Sequence, residues 1–217
     1  VQVSPDGATL WATSHEGSYV VAIDTSTYRL RGHLTTGMGP AHVIVTPDGR
    51  TAYVTNSMDG TVATVSTATL RKTGSIRVGA FPHGERPSPD GRFVLVANMH
   101  GTTLSLLSTA TRRQVAVIEV GKAPVQVAFA PDGRFAYVTL NGENAVGKVD
   151  LAARRLVGKV PVGAGPAQVS VTPDGRYVLA ADQGTAAQPS RTLAVIEIQG
   201  ERNAVVSPAP TSFVGTN

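Results

Sequence analysis

The 217-residue sequence contains no cysteine. That removes disulfide staples, thiolate metal ligands and cysteine nucleophiles together, and it fits either a reducing compartment or a disulfide-free exported protein. Aromatic residues make up only 5 %, with a single tryptophan, Trp11. Stacking platforms for bases are therefore scarce, and no nucleic-acid partner is expected. No run of eighteen or more apolar residues occurs, so no transmembrane segment is expected. Gly-x-Ser-x-Gly, a glycine-rich phosphate loop and a His-x-x-x-His pair are all missing, which leaves no catalytic residue to assign. No signal peptide is visible at Val1.

What the chain does contain is periodic. Pro5-Asp6-Gly7, Pro47-Asp48-Gly49, Pro89-Asp90-Gly91, Pro131-Asp132-Gly133 and Pro173-Asp174-Gly175 follow one another at intervals of 42 residues. Proline presets φ for a turn's first corner, aspartate can bond its own backbone two residues on, and glycine accepts positive φ. Each tripeptide therefore predicts a tight turn with a structural role. Around the second, Ala41 to Thr46 and Thr51 to Asn56 read as strands rich in β-branched residues, with further strands at Thr61 to Val65 and Ser75 to Val78. No stretch carries the i, i+3, i+4, i+7 pattern of a helix over three turns. Four short strands in about 40 to 45 residues, repeated, is the arithmetic of a β-propeller blade. The expected fold is all-β, a propeller of four-stranded antiparallel blades in one domain over residues 1–217, with about five blades present.

Tyr53-Val54-Thr55-Asn56, Tyr137-Val138-Thr139 and the looser Val96-Ala97-Asn98 each follow a Pro-Asp-Gly-Arg turn. Gly-x-x-Pro precedes the inner strands at Gly37/Pro40, Gly79/Pro82, Gly121/Pro124 and Gly163/Pro166. This pattern resembles the YVTN-family β-propeller repeat of bacterial and archaeal surface or periplasmic proteins, which implies a periplasmic or extracellular setting. The Gly-His and Trp-Asp landmarks that WD repeats carry in each blade are not followed here, since the single tryptophan, Trp11, precedes Ala12. Propellers of the YVTN family usually close with seven blades, about 290 residues at this period. The chain is accordingly expected to be part of a larger propeller, incomplete at one or both ends and irregular from about residue 183, or to be closed by a partner copy. Open blade edges offer a route to self-association; a five-bladed ring is the alternative.

Strands that alternate direction put the Pro-Asp-Gly and third turns on one face of the ring, and the second turns and inter-blade connections on the other. Arg50, Arg92, Arg134, Arg176 and the pairs Arg71-Lys72, Arg112-Arg113 and Arg154-Arg155 make the first face basic, as solvated turn positions. The irregular residues gather on the second face. His42 and His83 lie by the Gly-x-x-Pro connections, His15 and His100 in second turns, with Asp59, Glu85, Asn98 and Asn141 on the same side. Gln126 and Gln168 occupy the positions equivalent to His42, and either meet a polar ligand or bridge adjacent blades. These ten residues form the expected ligand- or protein-binding face around the central channel.

The Phe81-Pro82-His83-Gly84 segment distantly resembles the haem-binding propeller of dissimilatory nitrite reductases, where inner-strand histidines contact the haem. Three functions follow. One is a non-catalytic binding or scaffold module for a protein partner or small ligand, with no cofactor. Another is an oxidoreductase or electron-transfer propeller holding haem or a transition metal; the histidines do not recur in register, so a symmetric cluster is excluded. A third, a lactonase-like propeller hydrolase, needs a carboxylate and metal cluster that the sequence does not assemble across blades.

Overall fold

The computed structural model describes residues 1–184, 189 and 192–198. Four consecutive sheets have four antiparallel strands each. They are β1 (Gln2–Val3), β2 (Thr9–Ser14), β3 (Tyr19–Asp24) and β4 (Leu30–Thr35); β5 (Pro40–Val45), β6 (Thr51–Asn56), β7 (Thr61–Ser66) and β8 (Arg71–Arg77); β9 (Pro82–Pro87), β10 (Phe93–Asn98), β11 (Thr103–Ser108) and β12 (Arg113–Glu119); and β13 (Pro124–Phe129), β14 (Phe135–Leu140), β15 (Ala145–Asp150) and β16 (Arg155–Pro161). A fifth sheet shows three, β17 (Pro166–Val171), β18 (Tyr177–Asp182) and β19 (Leu193–Glu197). The fourth strands start earlier than the sequence suggests, so Arg71 and Lys72 open β8 rather than sit in a turn. The expected irregularity from about residue 183 lies largely outside the described residues.

Every Pro-Asp-Gly segment folds as its chemistry predicts. Asp6, Asp48, Asp90, Asp132 and Asp174 accept the amides of Ala8, Arg50, Arg92, Arg134 and Arg176 at 2.9–3.0 Å. Gly7, Gly49, Gly91, Gly133 and Gly175 have φ between 69° and 74°. The third turn leans on the first: Thr67 donates from its hydroxyl to Gly49 O at 2.6 Å, and Thr109 to Gly91 O at 2.8 Å. Ser57 N likewise bonds Gly39 O, joining the second turn to the inter-blade connection. The two faces of the ring therefore carry the turns in the expected arrangement.

Each internal blade buries both sheet faces, which is why its second and third strands read as almost unbroken apolar runs. Trp11, Val20 and Ala22 pack on Val43, Val45 and Val54; Ile44, Tyr53 and Val62 pack on Val94 and Val96. The same contact recurs between Leu95, Leu104 and Val127, and between Tyr137, Val146 and Val178. The first strands of successive blades lie beside one another around the centre. Outer faces of the first and fifth blades are open: Val1 is 88 % and Leu193 37 % exposed, and Gln168, Ser170 and Ala181 are exposed. A closed five-bladed ring would bury these faces against each other.

Candidate functional site

The inner strands do not pair evenly with their neighbours. Register shifts fall between Pro40 and Val43, Val96 and Asn98, Pro124 and Val127, and Pro166 and Gln168. The two residues after Pro40, Pro82 and Pro124, and the one after Pro166, therefore bulge out of the ladder, in the geometry that re-aims side chains beside functional sites. Those residues are Ala41-His42, His83-Gly84, Val125-Gln126 and Ala167, with Gln168 back in register against Ala181. His42 and His83 thus lie inside the inner strands β5 and β9, just past the connections that enter them.

A bulge frees backbone groups, and the threonine of the Tyr-Val-Thr segment takes them up. Thr55 Oγ1 accepts the His42 amide at 3.0 Å and donates to His83 O of the next blade at 2.8 Å. Thr139 accepts from Gln126 N at 3.0 Å and donates to Ala167 O at 3.5 Å, and Thr13 donates to Ala41 O at 3.0 Å. The third blade has Ala97 at this position. There the His83 ring takes over, with Nδ1 3.4 Å from Val125 O. Since a carbonyl only accepts, this contact assigns the proton to Nδ1 and leaves the Nε2 lone pair open. Gly84 is required alongside: a Cβ there would lie 2.7 Å from Gln126 Cα.

The result is a histidine pair at the channel. The His42 and His83 rings meet edge to face with centroids 4.7 Å apart. Burial pulls the His42 pKa down to about 4, helped by the charges of His83 and Arg86. Burial also lowers that of His83, against the pull of the Val125 carbonyl, with His15 adding a small repulsion. Both imidazoles are therefore neutral at pH 7 and can donate, accept or ligate.

The remaining predicted residues separate by role. His15 is exposed and sits 3.4 Å from Ser57 Oγ. His100 is exposed and stacks on Phe81 at 4.0 Å. Asp59 accepts the Met38 amide at 2.7 Å and so fixes an inter-blade connection. Asn98 is buried, accepting from Gly79 N and donating to Thr103 and Ser105. Asn141 reaches Pro166 O at 3.5 Å from the 3-10 turn Asn141–Glu143. Gln126 is buried with Oε1 on the Val127 amide, whereas Gln168 is exposed and lines a cavity.

Glu85 is the least expected. It is fully buried in the wall between the second and third blades, and neither carboxyl oxygen has a hydrogen-bond partner. Desolvation raises its pKa well above 4.5; the Thr55 backbone and the Arg86 charge oppose the shift without satisfying either oxygen. Equivalent positions hold Val1, Val43, Val127 and Val169. Its neighbour Arg86, absent from the expected site, replaces Ile44, Ala128 and Ser170 of other blades. The signal was available in both cases, since Glu85 and Arg86 are the charged residues among these inner strands.

Among the described residues no three histidine, aspartate or glutamate side chains converge as a metal site. The contact between the His42 and His83 rings also leaves no room for a macrocycle between them, so this pair does not fit bis-histidine haem ligation. A family model described as "Lactonase, 7-bladed beta-propeller" matches residues 1–205. The chain belongs to this family. Five of the seven blades of a lactonase-family propeller are thus present in the described residues. No curated protein matches the sequence. Among solved structures, Kuenenia stuttgartiensis hydrazine synthase superposes with a TM-score of 0.83 at 26 % identity, over 91 % of this chain and 62 % of that one. A functionally unknown protein from Desulfotomaculum acetoxidans gives 0.78 at 18 % identity, over 96 % and 68 %. The chain therefore spans somewhat under two thirds of the hydrazine synthase chain.

Proposed function

We propose that this chain is a non-catalytic binding module, a propeller that presents a small ligand or a protein partner with the face around its central channel. The observation that carries this reading is the His42–His83 pair, set on bulged inner-strand positions with both rings neutral and His83 Nε2 open. Repeat positions elsewhere are spent on turns and latches; these two are not repeated. The Tyr-Val-Thr-Asn pattern supports a repeat protein of the periplasmic or extracellular kind. The test is capture from an extract of the source organism with the native protein and the His42→Ala/His83→Ala variant as baits. A ligand or partner retained by the first and lost by the second, with matching thermal unfolding, is the expected result. Identical retention by both would end the proposal.

The family description favours a second reading, hydrolysis of a cyclic ester. A neutral imidazole with an open Nε2 can take a proton from attacking water. Alkali uptake by δ-valerolactone solutions in a pH-stat measures this directly. A rate above background that disappears in His83→Ala would support hydrolysis, and a rate equal to background would leave the binding role alone.

A further inference from the structure

With cysteine absent, histidine and methionine supply the soft and borderline metal ligands of this chain, which has five of the first and three of the second. Four of the histidines and all three methionines, Met38, Met58 and Met99, lie in the second turns, connections and inner strands on one face of the first three blades. The placement follows no period: Met58 stands where other blades hold Glu16, His100 and Gly142, and His15 where they hold Ser57, Met99 and Asn141. At the boundary of the first and second blades two of these side chains meet over a glycine. A Cβ added to Gly39 would lie 3.1 Å from His15 Nε2, and 2.9 and 3.4 Å from Met58 Cγ and Sδ. An imidazole nitrogen and a thioether sulfur therefore face the same small space.

Gly39 has φ +62°, but Phe81 and Ala123 carry side chains at the equivalent positions with φ +52° and +49°. Backbone conformation alone thus does not demand glycine here; His15 and Met58 use the room a Cβ would take. The backbone beneath them is held in place. Ser57 donates from both N and Oγ to Gly39 O, Met58 N donates to Met38 O, and Asp59 accepts the Met38 amide. Because the Ser57 hydroxyl gives its proton to Gly39 O at 2.7 Å, it only accepts at its 3.4 Å contact with His15 Nε2. That contact is long, and an imidazole proton moved to Nδ1 frees the Nε2 lone pair. Met58 is 61 % exposed, and its flexible stem lets the sulfur close on an ion held at Nε2. A thioether is a soft, uncharged ligand, which selects copper(I) over calcium or magnesium. Zinc takes a full tetrahedral shell of nitrogen, oxygen or thiolate ligands, and among the described residues no three histidine, aspartate or glutamate side chains converge to build one. Copper(I), a closed-shell ion, is held by fewer.

We propose that His15 Nε2 and Met58 Sδ form a copper(I) site at the boundary of the first two blades. The site goes beyond the binding role assigned to His42 and His83, and it lies between two packed blades rather than on either open outer face. It is tested by anaerobic titration of the intact chain with copper(I), supplied as its acetonitrile complex, against bicinchoninate as competing chelator. Retention of a single equivalent is expected, with affinity reduced at least about tenfold in Met58→Leu and in His15→Ala, and unchanged in His42→Ala/His83→Ala. X-ray absorption should show a sulfur neighbour at copper that Met58→Leu loses. Leucine conserves volume at an exposed position, so that variant keeps the fold. No copper retained by the native chain, equal affinity in Met58→Leu, or a copper shell without sulfur would overturn the proposal. So would loss of copper in His42→Ala/His83→Ala with retention in Met58→Leu, which would move the metal to the histidine pair. Tighter binding of zinc(II) than of copper(I) through the same two residues would overturn the copper assignment.

Discussion

Replacing Glu85 by valine is expected to stabilise the protein, and to do so more as pH rises. Valine fills the equivalent buried positions Val43, Val127 and Val169, so the substitution restores what neighbouring blades use. Each orphaned buried polar atom costs about 1–3 kcal/mol, and Glu85 has two. Valine leaves part of the glutamate volume empty, which returns about 1 kcal/mol of that gain. A net stabilisation of about 1–5 kcal/mol at pH 7 follows, or several degrees in melting temperature. The pH dependence has a definite sign. Below 4.5 the carboxyl is protonated in both folded and unfolded chains, and pH has no leverage through it. Above that value the unfolded chain releases the proton while the folded chain keeps it. Native stability then falls by up to about 1.4 kcal/mol per pH unit, until the raised folded pKa is passed. Urea unfolding of native, Glu85→Val and Glu85→Gln proteins from pH 4 to pH 8 measures this. The gap between native and Glu85→Val should open above pH 4.5, and Glu85→Gln should lose the pH dependence while keeping a burial cost. A valine variant less stable than the native chain at pH 8, or a gap independent of pH, would refute the reasoning.

Thr55→Val removes the hydroxyl that joins the His42 amide to the His83 carbonyl, and should cost about 1–3 kcal/mol in denaturant unfolding. A neutral result would show that the latch between blades carries no stability. Gly49 has φ +72° with nothing within 4 Å of an added Cβ, so Gly49→Ala should cost only its backbone strain, about 1 kcal/mol. Gly84→Ala should cost more, because its Cβ would strike the neighbouring inner strand; equal losses would refute the close approach. His42 should titrate near pH 4 by imidazole NMR. Because its folded pKa lies below the ordinary 6.5, the native state should lose stability as pH falls from 6.5 toward 4, and His42→Ala should lose that component.

The turns were the most legible part of the chain because their chemistry is local. Proline, aspartate and glycine at Pro47, Asp48 and Gly49 each act within two or three residues, so reading the tripeptide is nearly the same as reading the turn. The strands around them followed from the spacing of those turns and from runs such as Tyr53-Val54-Thr55. The candidate site was legible only as positions that break the period. Asn98 and Asp59 stand on the expected side of the ring but are engaged in fixing connections, a distinction that depends on partners 19 to 21 residues away. Arg86 carries no repeat signal of its own, and its partial burial depends on packing between blades.

The sequence by itself determined the unit, its four strands and its stacking, since a 42-residue period with a fixed turn leaves no apolar face that a single blade could bury alone. Tertiary structure decided which irregular residues matter. His42 and His83 lie 41 positions apart, and one residue short of the period is the offset that brings a bulge residue of one blade against its neighbour's. Glu85 lost its water only once adjacent blades had closed around β9. Burial and register between blades are properties of the packed ring, and no single repeat contains them.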